Sequence, residues 1–392
     1  MSLRLMGFLN EGMMMMNQAR FEQVKSYRRE LHKIPELSYE LYKTHDYIKA
    51  TLEGFGYETF TVAKTGIIAV KEGTLDQGIA FRADMDGLNI KENTHVTYRS
   101  THEGLMHGCG HDGHMAMLLG FAKEMKEIQT KKRIMFVFEP AEETFGGAKD
   151  IVASNVFSQY NIEMIFALHL YPELEEGKLG LKEGILTAQD GDFDMHISGR
   201  NAHGTQPHLG SDVALAASAL TMQYHTIIGR SMNPLKPSSI NVGTMHLGEG
   251  RNILAHEAIL KGSIRAFEHS SYTLLKKRMR QIDKGIEEAY NVTIENQITD
   301  LHPPVYNDGD LTQTIIDTLA GSDYEYLAPQ MLAEDFSYYQ QVIPGVFIML
   351  GSKNIPKGFT YPLHSNRFNF DESVLLKGID TFNHIAHIFK AI

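Results

Sequence analysis

Apolar positions along the chain change period, and each change predicts an element. Residues 21–32 place Phe21, Val24, Tyr27, Arg28 and Leu31 on one side at helical spacing. Pro35 then stops the helix. Ser38-Tyr39-Glu40 predicts the opening of a second helix, which runs to about Phe55 and ends at Gly54 and Gly56. Near-continuous apolar runs follow at 67–70, 79–84, 133–138, 164–170 and 346–350. Such runs are expected of parallel strands covered on both faces. Helical stretches at 115–128 and 146–157 lie between them. Strands alternating with helices predict an α/β layer: a mainly parallel, mixed sheet sandwiched by helices.

From about Leu186 the pattern is different. Residues 191–198 alternate between faces, 212–229 form a helix with an alanine-rich side, and 238–247 and 252–267 read as strands. A helix at 270–290 and a strand at 292–299 complete the order β-α-β-β-α-β, that of a ferredoxin-like α+β unit. Parallel-sheet patterning resumes after Pro303, so this unit is an insertion. The predicted organisation is a catalytic domain in two parts, 17–186 and 301–392, around an inserted lid or dimerisation domain at 187–300. A length of 392 residues agrees with two domains. Six of the 20 methionines fall within residues 1–16. That stretch reads as a misassigned start, expected to be disordered or a loosely attached helix, and fold reasoning excludes it.

Composition narrows the function classes. A hydrophobic share of 43% and a charged share of 22% are those of an ordinary globular protein. The net charge of -11 argues against nucleic acid and anionic membranes as partners. No apolar run reaches the length of a membrane span. One cysteine excludes an intrachain disulfide framework and fits a reducing compartment, so the expected location is the cytoplasm.

The chemistry concentrates in Met106-His107-Gly108-Cys109-Gly110-His111-Asp112-Gly113-His114. A thiolate and an imidazole are good ligands for zinc and similar ions. A lone cysteine is by default a small buried apolar residue. Between glycines and two residues from a histidine, the ligand reading is the stronger. Other candidates gather where predicted strands end, the place ligands occupy in open α/β sheets. Asp84 and Asp86 follow one strand, Glu139, Glu142 and Glu143 a second, and His169 ends a third. Each has a plain alternative. The aspartates can be caps, the glutamate pair a solvated turn, and His169 a satisfied core histidine. Asp86 can instead orient a ligating imidazole. His364, Asn252 and Arg265 are unremarkable singly, and His203 lies in a polar, glycine-containing loop.

Taken together these segments resemble the aminoacylase and carboxypeptidase family of co-catalytic metallopeptidases. The amidohydrolase branch, with hippurate hydrolases, N-acetyl-diaminopimelate deacetylases and auxin-conjugate hydrolases, is the most similar. The carriers are Arg29-Glu30-Leu31-His32, Pro35-Glu36-Leu37-Ser38, Arg82-Ala83-Asp84-Met85-Asp86-Gly87-Leu88 and the loop around Cys109. Pro140-Ala141-Glu142-Glu143, Asn201-Ala202-His203, Glu334-Asp335-Phe336-Ser337 and Leu363-His364-Ser365 complete them. Asn366 stands where many relatives have proline. The resemblance implies a homodimer formed through the inserted domain, and Cys109, His111, Glu143, His169 and His364 as ligands of two divalent ions, with Cys109 bridging. Zinc or manganese is expected, with cobalt or nickel as alternatives. It implies Glu142 as general base, Asp86 as orienting residue, His203 of the partner subunit as oxyanion donor, and Asn252 and Arg265 on the substrate. The implied activity is hydrolysis of N-acyl amino acids or small peptides. A di- or tripeptide exopeptidase would differ only in pocket shape. A non-catalytic metal or thiol sensor would leave Glu142 without a role.

Overall fold

The computed structural model of the protein describes residues 2–144 and 146–392, with only the backbone for residues 2–16. The chain divides into two compact units. The first comprises Met1–Gly184, Tyr306–Ala328 and Tyr338–Ile392, and the second Ile185–Val305 with Pro329–Ser337. In chain order the elements are α1 (Ser2–His32), α2 (Tyr42–Gly54), β1 (Thr59–Val62), β2 (Gly66–Lys71), β3 (Gly78–Asp84), α3 (His111–Met125) and β4 (Arg133–Glu139). Then come α4 (Gly147–Ala153), α5 (Val156–Gln159), β5 (Ile162–Glu175), β6 (Leu179–Leu181) and β7 (Gly184–Ile185). The middle of the chain supplies β8 (Gln189–Ser198), α6 (Val213–Arg230), β9 (Ser238–Leu247), β10 (Glu257–Ala266), α7 (His269–Tyr290) and β11 (Thr293–Asp300). The end supplies β12 (Tyr306–Asn307), α8 (Gly309–Ile316), β13 (Tyr324–Tyr326), β14 (Gly345–Lys353) and α9 (Val374–Ile388).

The first unit is built on a mixed eight-stranded sheet of order β1-β2-β4-β3-β5-β14-β6-β13. Its centre, β4-β3-β5-β14, is parallel. Antiparallel pairs flank it on both sides. The central strands are buried nearly end to end, so both faces need cover. Helix α3 supplies much of it. All its residues except Lys123 and Glu124 are buried, which is the pattern of an interior helix. Phe81 of β3 meets Phe121 of α3 and Phe382 of α9 edge-on. Each such fully buried ring stabilises the fold by roughly 1.5–3 kcal/mol. Helices α4 and α5 lie against β4 and β5. Helix α1 is pinned to α3 by polar groups as well. Arg28 and His32 both donate to Asp112 Oδ2, at 3.1 and 2.8 Å.

The second unit is an antiparallel sheet of order β11-β8-β10-β9 with α6 and α7 packed against it. Its strands alternate, because only one face is covered: Phe193, Met195 and Ile197 of β8 point into the core. Asp212 caps α6 by accepting from the Leu215 amide at 3.0 Å. A bulge interrupts the β9–β10 ladder between Lys261 and Gly262. A Cβ at Gly262 would stand 2.0 Å from the Asn241 carbonyl oxygen and 2.3 Å from Phe193 Cζ.

Several boundaries differ from the sequence expectation for identifiable reasons. The second helix starts at Tyr42 rather than Ser38. Ser38 takes φ 54°, and the Glu36 carboxylate accepts the amides of Lys43 and Thr44 that open the helix. The helix expected at 115–128 begins at His111. The one expected at 146–157 breaks into α4 and α5 at Asn155, φ 59°. The strand expected from 252 starts at Glu257, after a turn in which the Ile253 amide donates to Gly250 O. The backbone is helical from Ser2, the helical one of the two alternatives expected for residues 1–16, and Met1 lies outside the described residues.

Two measurements check this description. Gly262→Ala will lower stability by about 1–3 kcal/mol through overpacking, seen as a lower melting temperature. His32, buried beside Asp112 and Glu92, has its pKa raised from 6.5 to about 8: burial opposes the charge, and the two carboxylates outweigh it. A raised folded-state pKa stabilises fully below about 6.5, and that stabilisation is lost as pH rises through 8. Denaturant unfolding at pH 6 and pH 9 will therefore show a loss of up to roughly 2 kcal/mol that is absent in His32→Gln.

Candidate metal centre

The turn before α3 is the centre of the site. Gly110 takes φ 90°, a left-handed conformation that glycine adopts without strain, and the helix starts at the next residue. Cys109 and His111 flank this kink. His111 Nδ1 donates to the Asp86 carbonyl oxygen at 2.8 Å. That fixes the tautomer and leaves the lone pair on Nε2, which is buried and has no hydrogen-bond partner. Around it stand Asp84 Oδ2 at 3.7 Å and Glu143 Oε1 at 3.8 Å. Cys109, His111 and Glu143 each offer a ligand atom, all within 4.8 Å of one another.

The other histidines differ in what their nitrogens do. His169 Nδ1 donates to Leu170 O at 2.8 Å, so its Nε2, 3.6 Å from Cys109 Sγ, carries a lone pair. It lies inside β5 rather than at a strand end, because β5 runs on to Glu175 beside β14. His114 has both nitrogens engaged. Nδ1 donates to Asp84 Oδ1 at 2.6 Å, and Nε2 accepts from the Leu170 amide at 2.9 Å. The grouping of Asp84, His111, His114 and His169 therefore resembles a metal site by proximity, yet His114 has no lone pair left for an ion. His114 is instead a buried strut between α3, β3 and β5. Its place one helical turn from His111 was the signal available in the sequence. Asp84, which also accepts from Arg82 at 2.7 Å, belongs to the same strut.

The glutamate turn is set by one carboxylate. Ala141 takes φ 59°, strained for a residue with a Cβ. With that kink the amides of Glu142 and Glu143 reach Asp86 Oδ1 and Oδ2, at 3.2 and 3.1 Å. Asp86 thus holds Glu142 and Glu143 with its carboxylate and His111 with its carbonyl. Its carboxylate lies 3.4 Å from His111 Nδ1. From 221 residues further on, His364 brings Nε2 to 3.2 Å from Glu143 Oε1. His364 is also left-handed, φ 62°, and its amide donates to Gly108 O at 2.9 Å.

The electrostatics call for a cation. Burial alone would lower the His111 pKa, but Asp84, Asp86 and Glu143 raise it to about 10. Burial and the charges of Glu143, Glu142 and Asp84 push the Cys109 thiol well above its ordinary value. Glu143, although buried, is held below the usual carboxylate range by His364 and His111. The buried Glu143 Oε1 has the His364 ring nitrogen 3.2 Å away, whereas His111 Nε2 has no hydrogen-bond partner. An unpartnered imidazole nitrogen, a carboxylate oxygen, a thiol and a second imidazole lone pair converge where positive charge is favoured. That donor set fits a borderline metal such as zinc.

The remaining candidates lie in the second unit. His203 is exposed and shares a hydrogen bond of 2.7 Å with Thr205 Oγ1. Its segment is bridged to that of Asn252: His203 pairs with Ile253, and the Gly204 amide donates to Asn252 O. Asn252 is exposed as well. Arg265 on β10 donates to Met331 O at 2.8 Å.

Comparison with known proteins gives the family. Residues 80–387 match the profile of peptidase family M20/M25/M40. The chain belongs to that family and is a metal-dependent hydrolase. A hydrolase of Staphylococcus epidermidis, without further characterisation, is 33% identical over 385 residues, covering 96% of this chain and all of the other. The YXEP protein of Bacillus subtilis, described as a dinuclear metal binding peptidase of the M20 family, is 29% identical with a TM-score of 0.82, covering 96% of this chain and 100% of that one. A tripeptidase of Staphylococcus aureus shares the fold at a TM-score of 0.71 and 16% identity, covering 93% and 97%. Among the described residues no helix is long and apolar enough to cross a membrane.

Asp86→Asn retains one acceptor where two amides and a carboxylate charge now meet. It will lower divalent-ion affinity about 10–100-fold, read by competition with a chromophoric chelator.

Proposed function

We propose that the protein is an amidohydrolase that splits the amide bond of N-acyl amino acids of acetyl or benzoyl type, or of small peptides. Cys109, His111, Glu143, His169 and His364 would hold two divalent ions, with Cys109 between them. The observation that carries the reading is the convergence of lone pairs on His111 Nε2 and Glu143 Oε1 with Cys109 Sγ, while the second nitrogens of His111 and His169 are tied to backbone carbonyls. Two ions there would act as Lewis acids and lower the pKa of a water.

The chain's own groups do the rest. Glu142 accepts the proton of the attacking water and returns it to the leaving amine. Asp86 holds the Glu142 backbone so that the carboxylate is aimed before substrate arrives. His203 of the partner subunit in a homodimer would donate to the carbonyl oxygen as it gains charge. Asn252 and Arg265 would take the substrate's carboxylate or backbone. A single cysteine that must stay reduced to bind metal fits the cytoplasm. Zinc or manganese suits the donors best.

The description of the Bacillus subtilis relative as a peptidase supports a second reading, a di- or tripeptide exopeptidase using the same residues. A panel of N-acetyl, N-benzoyl and dipeptide substrates, each assayed across several metals, separates the two by which class turns over.

Glu142→Gln will lower turnover about 10²–10⁴-fold with both ions still bound. Full turnover by that variant would falsify its role. Cys109→Ser will lose tightly bound metal on dialysis, and retention of two ions would remove the bridging assignment.

A further inference from the structure

Arg28 is 1% exposed and meets the first turn of α3. Its Nε donates to Asp112 Oδ2 at 3.1 Å, one residue from His111. Its NH2 donates to Asn369 Oδ1 at 2.5 Å, and its NH1 reaches Phe370 O at 3.5 Å, five and six residues past His364. The guanidinium also stacks on the Phe370 ring, 3.7 Å from the centroid. One side chain therefore joins the two stretches of chain that carry Cys109, His111 and His364.

His364 depends on such support. It is 52% exposed, and it sits in an irregular stretch between β14 and α9. His111 and His169 each have the second ring nitrogen tied to a carbonyl. Among the described residues no such partner holds the second nitrogen of His364. Its position comes from its amide on Gly108 O and from the anchoring of residues 368–370 that follow. Phe370 also closes on the turn of α3: a Cβ at Gly113 would stand 2.7 Å from Phe370 Cζ.

Resting on the metal-site reading above, we propose that Arg28 is a positioning residue. It sets the distance between the Cys109–His111 turn and the His364 loop, and so sets the affinity for the more weakly held ion. The choice of arginine supports this. Burying a guanidinium carries a desolvation cost that an apolar side chain packing α1 on α3 would not have. Only the planar fork, with five donors in fixed directions, reaches Asp112, Asn369 and the Phe370 carbonyl together. A lysine would keep the charge beside Asp112 and lose the second arm.

The test uses the full-length protein, stripped of metal and titrated with Co²⁺. Near-ultraviolet thiolate-to-metal absorption reports Cys109, and chelator competition gives the affinity of the weaker ion. Arg28→Lys and Asn369→Leu are compared with wild type, with melting temperatures of the metal-free proteins as the control for stability. The expected result is a thiolate band of wild-type intensity at saturation, with the weaker ion bound about 10-fold or more less tightly in both variants. If both variants bind both ions within twofold of wild type while their melting temperatures fall, Arg28 is a packing residue and the proposal is overturned. Should Arg28→Lys fail to fold, Asn369→Asp is added, which keeps an acceptor for the Phe370 amide and for Arg28, and recovery of the weaker ion's affinity in it against loss in Asn369→Leu decides. A wild-type protein that takes no Co²⁺ overturns the metal-site reading and this inference with it. Normal wild-type loading with unchanged variants overturns the inference only.

Discussion

Asp86 is the constraint around which the site is assembled. Its two carboxylate oxygens accept the Glu142 and Glu143 amides, and its carbonyl accepts His111. A buried carboxylate needs such donors, since an unpaired charge in a dry interior is expensive. Burial still leaves its pKa raised. The same three bonds connect the end of β3 to the turn after β4 and to the first turn of α3. The left-handed kink at Ala141 follows from this geometry. Without it two consecutive amides would not face one acceptor, and its cost of order 1–3 kcal/mol is offset by those bonds.

Helix α3 works on two sides. Its first residue turns a lone pair toward the metal centre, and its second, Asp112, turns away to meet Arg28 and His32. Its fourth, His114, ties it to β3 and β5. The apolar remainder fills the layer between the sheet and α1 and α9. The N-terminal end of the helix is therefore held by polar bonds of defined direction, and the rest by dispersion and burial, which are less directional.

The sequence exposed the layer plan because strand and helix periods differ and because the insertion alternates where the first unit does not. β9 falls at the expected residues, and β8, α6, α7 and β11 lie within a residue or two of expectation. The loop around Cys109 stood out through composition alone. Other parts were hidden for physical reasons. Periodicity does not show that β5 continues past His169, since polar residues beyond it still pair with β14. It gives no sign that Ser38 turns left-handed or that Glu36 caps α2. Helix α9 was not anticipated, although its buried face recurs at helical spacing. Nothing local marks His364, whose meaning comes from Glu143 and Gly108 across the fold. Spacing also cannot separate His111 from His114, because the difference lies in which ring nitrogens the backbone occupies.

The separation of His364 from the other proposed ligands has a consequence for biosynthesis. A chain emerging from the ribosome presents Cys109, His111, Glu143 and His169 long before His364, and the whole second unit is translated in between. Domains generally fold as units and in order of synthesis. The inserted unit, with its own core, can close while β14, the centre-edge partner of β5, does not yet exist. The first unit therefore cannot complete its sheet until β14 has been made. Until then only four of the five proposed donors would be in place. Binding by all five proposed ligands would accordingly wait for His364, and a nascent chain truncated before it would offer the Cys109 thiol without the complete proposed set.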